Sequence, residues 1–280
     1  MKALIDTINI RAGSAATALL IGLTLILVFS TFALALEFPY RKDYPDLATI
    51  DSETLYAQYE ASQIIIVDVR SVIEYDVIHP VGAIHIPLAS KDFVKRVKAL
   101  HMKNPNKKIA FYCNGVTCLK SYKAAQKAQE AGIKNCYAYD SGIPIWASVY
   151  PGKTLLVGKV LVDPEKQLIP KSKFKQRCLP YRKFKSQAKS RKAMVVDVRD
   201  HIQRSEKLPG LEKVMFIPMN KFIPNFVERK VNRDNTLLIF DQVGKQVQWL
   251  EYYLVENGYK DYYFLSGGAT AVLGEQKYKK

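Results

Sequence analysis

The chain repeats itself. Val67-Asp68-Val69-Arg70 returns as Val196-Asp197-Val198-Arg199, Ile86-Pro87 as Ile217-Pro218, the apolar run at 108–112 as 237–240, and Ser141-Gly142 as Ser266-Gly267. The order is preserved and the offset is roughly 130 residues each time, the length of a whole domain. Two copies of one domain in tandem are therefore expected. The 280 residues are 48% hydrophobic and 24% charged, so each copy has the material for a core of its own.

Within a copy, strand and helix patterns alternate. Residues 63–69 form an apolar, β-branched run of the kind found in buried parallel strands; 108–112 and 135–139 are two more, the last containing Cys136, an ordinary buried thiol on this reading. Asp51 is placed to cap a helix reaching Ala61. Ser90 is placed to cap one reaching Leu100, with Phe93, Val97 and Leu100 on one face, and an alanine-rich helix over 121–131 stops at Gly132. This alternation predicts an α/β fold, each domain a mainly parallel sheet flanked by helices.

The chemistry concentrates in residues 113–121, between a strand and a helix. Cys113 closes the strand, Gly115 permits close backbone approach, Cys118 adds a second thiol, and Lys120 brings a positive charge to the helix start. In parallel sheets ligands bind at this end of the strands, where loop and helix N–H groups point at them. Such donors favour a thiolate, the form that attacks sulfur, so a lowered pKa is expected for Cys113. Asp68 and Arg70 are expected to hold neighbouring loops by hydrogen bonds.

With Val67-Asp68-Val69-Arg70, Glu74-Tyr75, Gly82-Ala83, Ile86-Pro87, Ser141-Gly142 and Trp146, this loop resembles the rhodanese (thiosulfate sulfurtransferase) superfamily over residues 49–151. The resemblance implies two tandem rhodanese-like domains, with Cys113 at the nucleophile position. Its implied catalytic residues are Cys113, Cys118 and Lys120, and its implied substrate-binding residues Asn114, Gly115, Val116, Thr117 and Ser121. A Cys113 persulfide would carry sulfane sulfur from a small sulfur-containing anion, thiosulfate or polysulfide, to a thiol acceptor. Cys118 could then attack the persulfide and release sulfide. Two departures stand out. Six residues separate Cys113 from Lys120-Ser121 where the family has four before an Arg-Ser pair, and lysine replaces the arginine. The second cysteine resembles a subgroup of exported members.

No cofactor is implied, and no metal site either, because His79, His85, His101 and His201 lack ligand-like spacing with the cysteines. In the second copy Asp241 stands where Cys113 stands in the first, followed by Gln246-Val247 in place of Arg-Ser. A carboxylate cannot form a persulfide, so this copy is expected to be inert, its Asp241 satisfying the loop N–H groups. A competing reading makes the whole chain a non-catalytic binding or assembly protein at a membrane surface, with Cys113 and Cys118 joined in a permanent disulfide. A phosphatase of related fold fits less well, since the loop lacks a phosphate-binding arginine.

The ends and the middle complete the organisation. Lys2 and Arg11 precede an uncharged apolar run over 12–36 that closes in Ala33-Leu34-Ala35. Its length suits a membrane-anchoring helix and its end suits signal-peptide cleavage; both place the remainder outside the cytoplasm, in the periplasm or an equivalent space. The domains are thus expected at 37–152 and 184–280, joined by a basic linker at 153–183 that includes Cys178. Residues 153–192 hold thirteen Lys and Arg against Asp163 and Glu165, much of the formal net charge of +16. Such a surface fits solvent, anionic lipid headgroups or an acidic protein. Nucleic acid is not expected, as no DNA-reading motif accompanies the cations.

Overall fold

The computed structural model describes residues 37–277 apart from Ser205, and from residue 39 onward the chain forms one compact unit. The export segment at 1–36 lies outside the described residues. Among the described residues, no helix is long and apolar enough to cross a membrane.

The first copy contains α1 (Ser52–Glu60), β1 (Ile64–Asp68), α2 (Val72–Val77), β2 (Ile78–Pro80), β3 (Ile84–His85), α3 (Phe93–Lys103), β4 (Lys108–Tyr112), α4 (Lys120–Glu130), β5 (Cys136–Tyr139) and α5 (Gly142–Val149). Its four-stranded sheet has the order β3-β1-β4-β5, with every pairing parallel. Asp51 caps α1 by accepting from the Thr54 N–H at 2.8 Å. Ser71 and Glu74 start α2: the Ser71 N–H and Oγ both donate to the Glu74 carboxylate, at 2.9 and 2.6 Å. Helix α3 begins later than expected, because Ser90 Oγ donates to Asp92 and leaves Asp92 at the helix start.

The stretch expected as a linker is built into both neighbours. Strands β6 (Thr154–Leu156) and β7 (Lys159–Val160) continue from β2 as a three-stranded antiparallel sheet. After α6 (Pro164–Gln167) and α7 (Lys171–Arg177), β8 (Cys178–Leu179) joins the second sheet, so that copy begins before residue 184. Strands of two or three residues among many lysines carry no readable period, which is why composition suggested a solvated connector.

The second copy continues with α8 (Tyr181–Gln187), β9 (Ala193–Asp197), β10 (Val214–Phe216), α9 (Met219–Phe222), β11 (Thr236–Phe240), α10 (Val247–Glu256), β12 (Tyr262–Leu265) and α11 (Gly268–Lys277). Its sheet order, β10-β9-β11-β12-β8, repeats that of the first copy. Even the edge is matched: β8 pairs with β12 as Thr49 bridges Ala138 of β5.

Alternation along the strands sends side chains to both faces of each sheet. In the first sheet, Val67, Ile109 and Phe111 face α3 and α4 in one buried cluster, where Ala124, Ala125 and Ala128 let α4 approach closely. Ile64, Ile66, Ala110 and Tyr112 face the other way, into a cluster that continues through Trp146 to Val196, Leu237, Ile239 and Leu250 of the second copy. The two domains share this apolar layer. Burial of apolar area at about 25 cal/mol per Å² makes such a layer a principal stabilising contribution, and here it belongs to both copies at once.

Candidate active site

The loop from Cys113 to Ser121 runs from the end of β4 to the first turn of α4. Its floor is the turn before α5. The Cys113 carbonyl accepts from the Ile143 N–H at 3.0 Å, and Gly142 has φ +63. A Cβ at Gly142 would overlap the backbone of Cys113 and Gly115, so only glycine lets the two turns meet. Gly115 adopts φ +107, and its carbonyl accepts from the Cys118 N–H at 2.8 Å, folding the loop back on itself.

A buried ionic cluster supports the loop. Asp68 binds the Nε and Nη2 of Arg70 at 3.0 and 2.6 Å and also accepts from Tyr112 Oη. Arg70 donates onward to the Ile78 carbonyl and, at 3.3 Å, to Asn114 Oδ1. Asn114 Nδ2 in turn donates to Glu74 at 2.5 Å. Burial works against ionisation of Glu74, but hydrogen bonds from Ser71 and Asn114 and the charge of Arg70 overcome it and hold the carboxyl below its ordinary value. Asp68 and Arg70 thus hold neighbouring loops, as their place in the sequence suggested. Glu74, whose partner lies forty residues away, was missed as a support of the loop.

A model described as the rhodanese-like domain matches residues 51–149. This stretch is a rhodanese-like domain. Solved structures with similarity include the BH2092 protein of Bacillus halodurans (25% identity, 49% of this chain and 96% of that one, TM-score 0.36). Others are a thiosulfate sulfurtransferase from Pseudomonas aeruginosa (19%, 82% and 45%, 0.37) and an As-Sb reductase from Leishmania major (16%, 47% and 97%, 0.36). No curated protein matches the chain.

The site of this rhodanese-like domain holds its two cysteines as free thiols in different surroundings. Cys113 has no exposed surface. Its Sγ lies 3.2 Å from the Cys118 carbonyl oxygen and 3.7 Å from Ser121 Oγ. Burial pushes this thiol up, the neighbouring Cys118 adds to the effect, and Ser121 opposes it. The expected acidification of Cys113 is therefore reversed. Cys118 is only partly buried, and its thiol is lowered to about 6. A hydrogen bond from Cys113 is the main cause; backbone N–H groups of Lys120 and Asn114 and the Lys120 charge act in the same direction, against partial burial.

The remaining candidates divide by depth. Gly115 and Ser121 are buried and shape the loop; Val116 is half-buried; Thr117 and Lys120 are exposed at its rim. Among the described residues, no three His, Cys, Asp or Glu side chains gather to hold a metal ion.

In the second copy the loop is filled by Asp241. Its carboxylate accepts from the N–H groups of Gly244, Gln246 (2.6 Å) and Val247 (3.2 Å) and is almost fully buried. The floor is the same: Gly268 has φ +62, and its Cβ would meet Gly244, Val243 and Asp241. Gly268, one residue beyond the expected Gly267, is thus the counterpart of Gly142. Arg199 binds Asp197 as Arg70 binds Asp68, at 2.8 Å.

Proposed function

We propose that the protein is a sulfurtransferase whose 113–121 loop takes sulfane sulfur from thiosulfate or a polysulfide, carries it as a cysteine persulfide and delivers it to a thiol acceptor. The observation that carries this reading is the pair of free thiols in the loop after β4, one closing the strand and the other at the start of α4, where backbone N–H donors and the Lys120 charge act on it. Those donors stabilise a sulfur anion without a histidine base. The test is intact-mass analysis of the reduced full chain after incubation with thiosulfate or polysulfide. Gain of one sulfur on a cysteine is expected; no gain with either donor overturns the reading.

The protein works outside the cytoplasm on this proposal, supported by the apolar run at 12–36. A reporter active only in the cytoplasm, fused after Lys280, is expected to be silent, and strong activity would sink the idea. The exposed cations Lys166, Lys171, Lys173, Lys175, Arg182 and Lys183 support contact with anionic lipid headgroups or an acidic protein. Salt-sensitive sedimentation with anionic vesicles supports the lipid partner; its absence leaves the protein partner as the surviving alternative.

A further inference from the structure

The two parallel sheets finish their outer edges differently. Strands β3 and β10 hold the same place in them, and Phe216 pairs with Asp197 as His85 pairs with Asp68. Along a strand, successive residues turn their N–H and C=O groups to opposite sides. The Ile86 N–H donates inward to the Asp68 carbonyl, and the Ile217 N–H to that of Asp197. His85 in one copy, and Val214 and Phe216 in the other, therefore turn theirs outward. In the first copy that edge is closed: Arg96 of α3 donates to the His85 carbonyl at 2.7 Å. In the second, α9 starts at Met219, directly after Pro218, and brings no such arginine. Among the described residues, nothing bonds the outward main-chain groups of Val214 and Phe216.

An open, apolar edge is a template for another strand. Met215 is 37% and Phe216 44% exposed, and Val214 and Phe216 line a cleft with Leu208 and Leu211. Two features select the partner. The open stretch is symmetric about Met215, with one outward residue on either side, and Pro218, the next outward position, has no N–H, so a longer strand gains little from it. Charge is the second feature. The formal charge of +16 sets most of the surface against another copy, but over residues 200–216 Asp200, Glu206 and Glu212 balance Arg204, Lys207 and Lys213. Two copies can meet here without like-charge repulsion.

We propose that the β10 edge is a self-association surface, on which a second copy of the chain pairs antiparallel about a twofold axis at Met215. Val214 of each copy exchanges both main-chain hydrogen bonds with Phe216 of the other, so every outward group of the two residues is satisfied. The pairing joins two five-stranded sheets edge to edge. Met215 meets its own counterpart on one face, the two Cα atoms about 4.5 Å apart. On the opposite face Phe216 packs beside Val214 of the other copy, over the cleft.

The experiment has two readouts on the full chain in detergent micelles. Light scattering reports the protein mass of the particle, expected to be twice that of the chain and to halve in Met215→Lys, whose circular dichroism stays that of the parent. Disulfide trapping reports the register. Oxidised with diamide, Met215→Cys is expected to form a covalent dimer joined through position 215, located by peptide mapping. Ile84→Cys, the matching position of the first copy on the edge that Arg96 closes, is expected not to form one. A monomeric parent chain overturns the proposal and leaves the edge to a strand of another protein. A dimer that survives Met215→Lys overturns it by placing the contact elsewhere. Absence of the 215 cross-link, or an equal one at position 84, overturns the proposed register and edge, and this holds even if Met215→Lys fails to fold.

Discussion

The indole of Trp249 lies over the guanidinium of Arg70, 5.6 Å from ring centroid to Cζ. Trp249 belongs to α10 of the second copy, Arg70 to the cluster that holds Asn114 of the cysteine loop in the first. Helices α2 and α10 pack together there, and Lys159 pairs with Glu256 beside them. The copy without a thiol at its strand end therefore buttresses the one that has it.

Trp249→Ala removes that contact and part of the shared apolar layer. A partly buried cation–π pair contributes about 0.5–2 kcal/mol, with lost packing in addition. The expected result is a destabilisation of roughly 1–3 kcal/mol in urea unfolding, with both copies still melting in one transition. Two separated transitions in the unmodified chain would contradict the shared core.

Asp241→Ala strips three N–H donors of their acceptor inside the second loop. Orphaned buried donors cost about 1–3 kcal/mol in total for such a group. Stability is expected to fall by that order while the alkylation rate of Cys118 stays as it was. A matching loss of thiol reactivity would show that the second loop reaches the first.

Gly142→Ala and Gly268→Ala form a matched pair. Each puts a Cβ onto loop backbone at a positive φ, where L residues carry a penalty of about 1–2 kcal/mol before any clash. Both variants are expected to lose stability. Only Gly142→Ala is expected to change cysteine reactivity, because its neighbours are Cys113 and Gly115. Equal effects on reactivity would count against the site's location.

Glu74 gives the fold an acid-side dependence. Its folded value lies below the ordinary 4.5, so the ionised form is favoured by folding. The contribution is complete above 4.5 and is lost as pH falls through the lower folded value. Glu74→Gln is expected to flatten the fall in the urea midpoint over that acidic window. An unchanged slope would remove Glu74 from the account.

Much of the fold was legible because the decisive signals are local. Residues 64–68 and 108–112 are apolar runs bounded by turn residues, and their repetition near 193–197 and 236–240 fixed the tandem arrangement. Asp51 as a cap needs only three residues of context. What escaped depends on distant partners or on direction. The link between Glu74 and Asn114 spans forty positions, and β8 is defined by Phe264 across the sheet. The order of acidity within the cysteine pair depends on how deeply each sulfur is buried and on which of them receives the other's hydrogen bond, a matter of loop path that the spacing of Cys113 and Cys118 leaves open.

Asp241 has one more consequence. A carboxylate held by the helix-start amides is the chain's own ligand, covalently supplied and never released. The second loop is accordingly a strand-to-helix cradle whose acceptor is built in, beside a first loop that carries a thiol at the same place. Small carboxylates shaped on the Asp241 arrangement are natural starting points for blocking the thiol-bearing loop, and a comparison of the two cradles within one molecule gives the internal control.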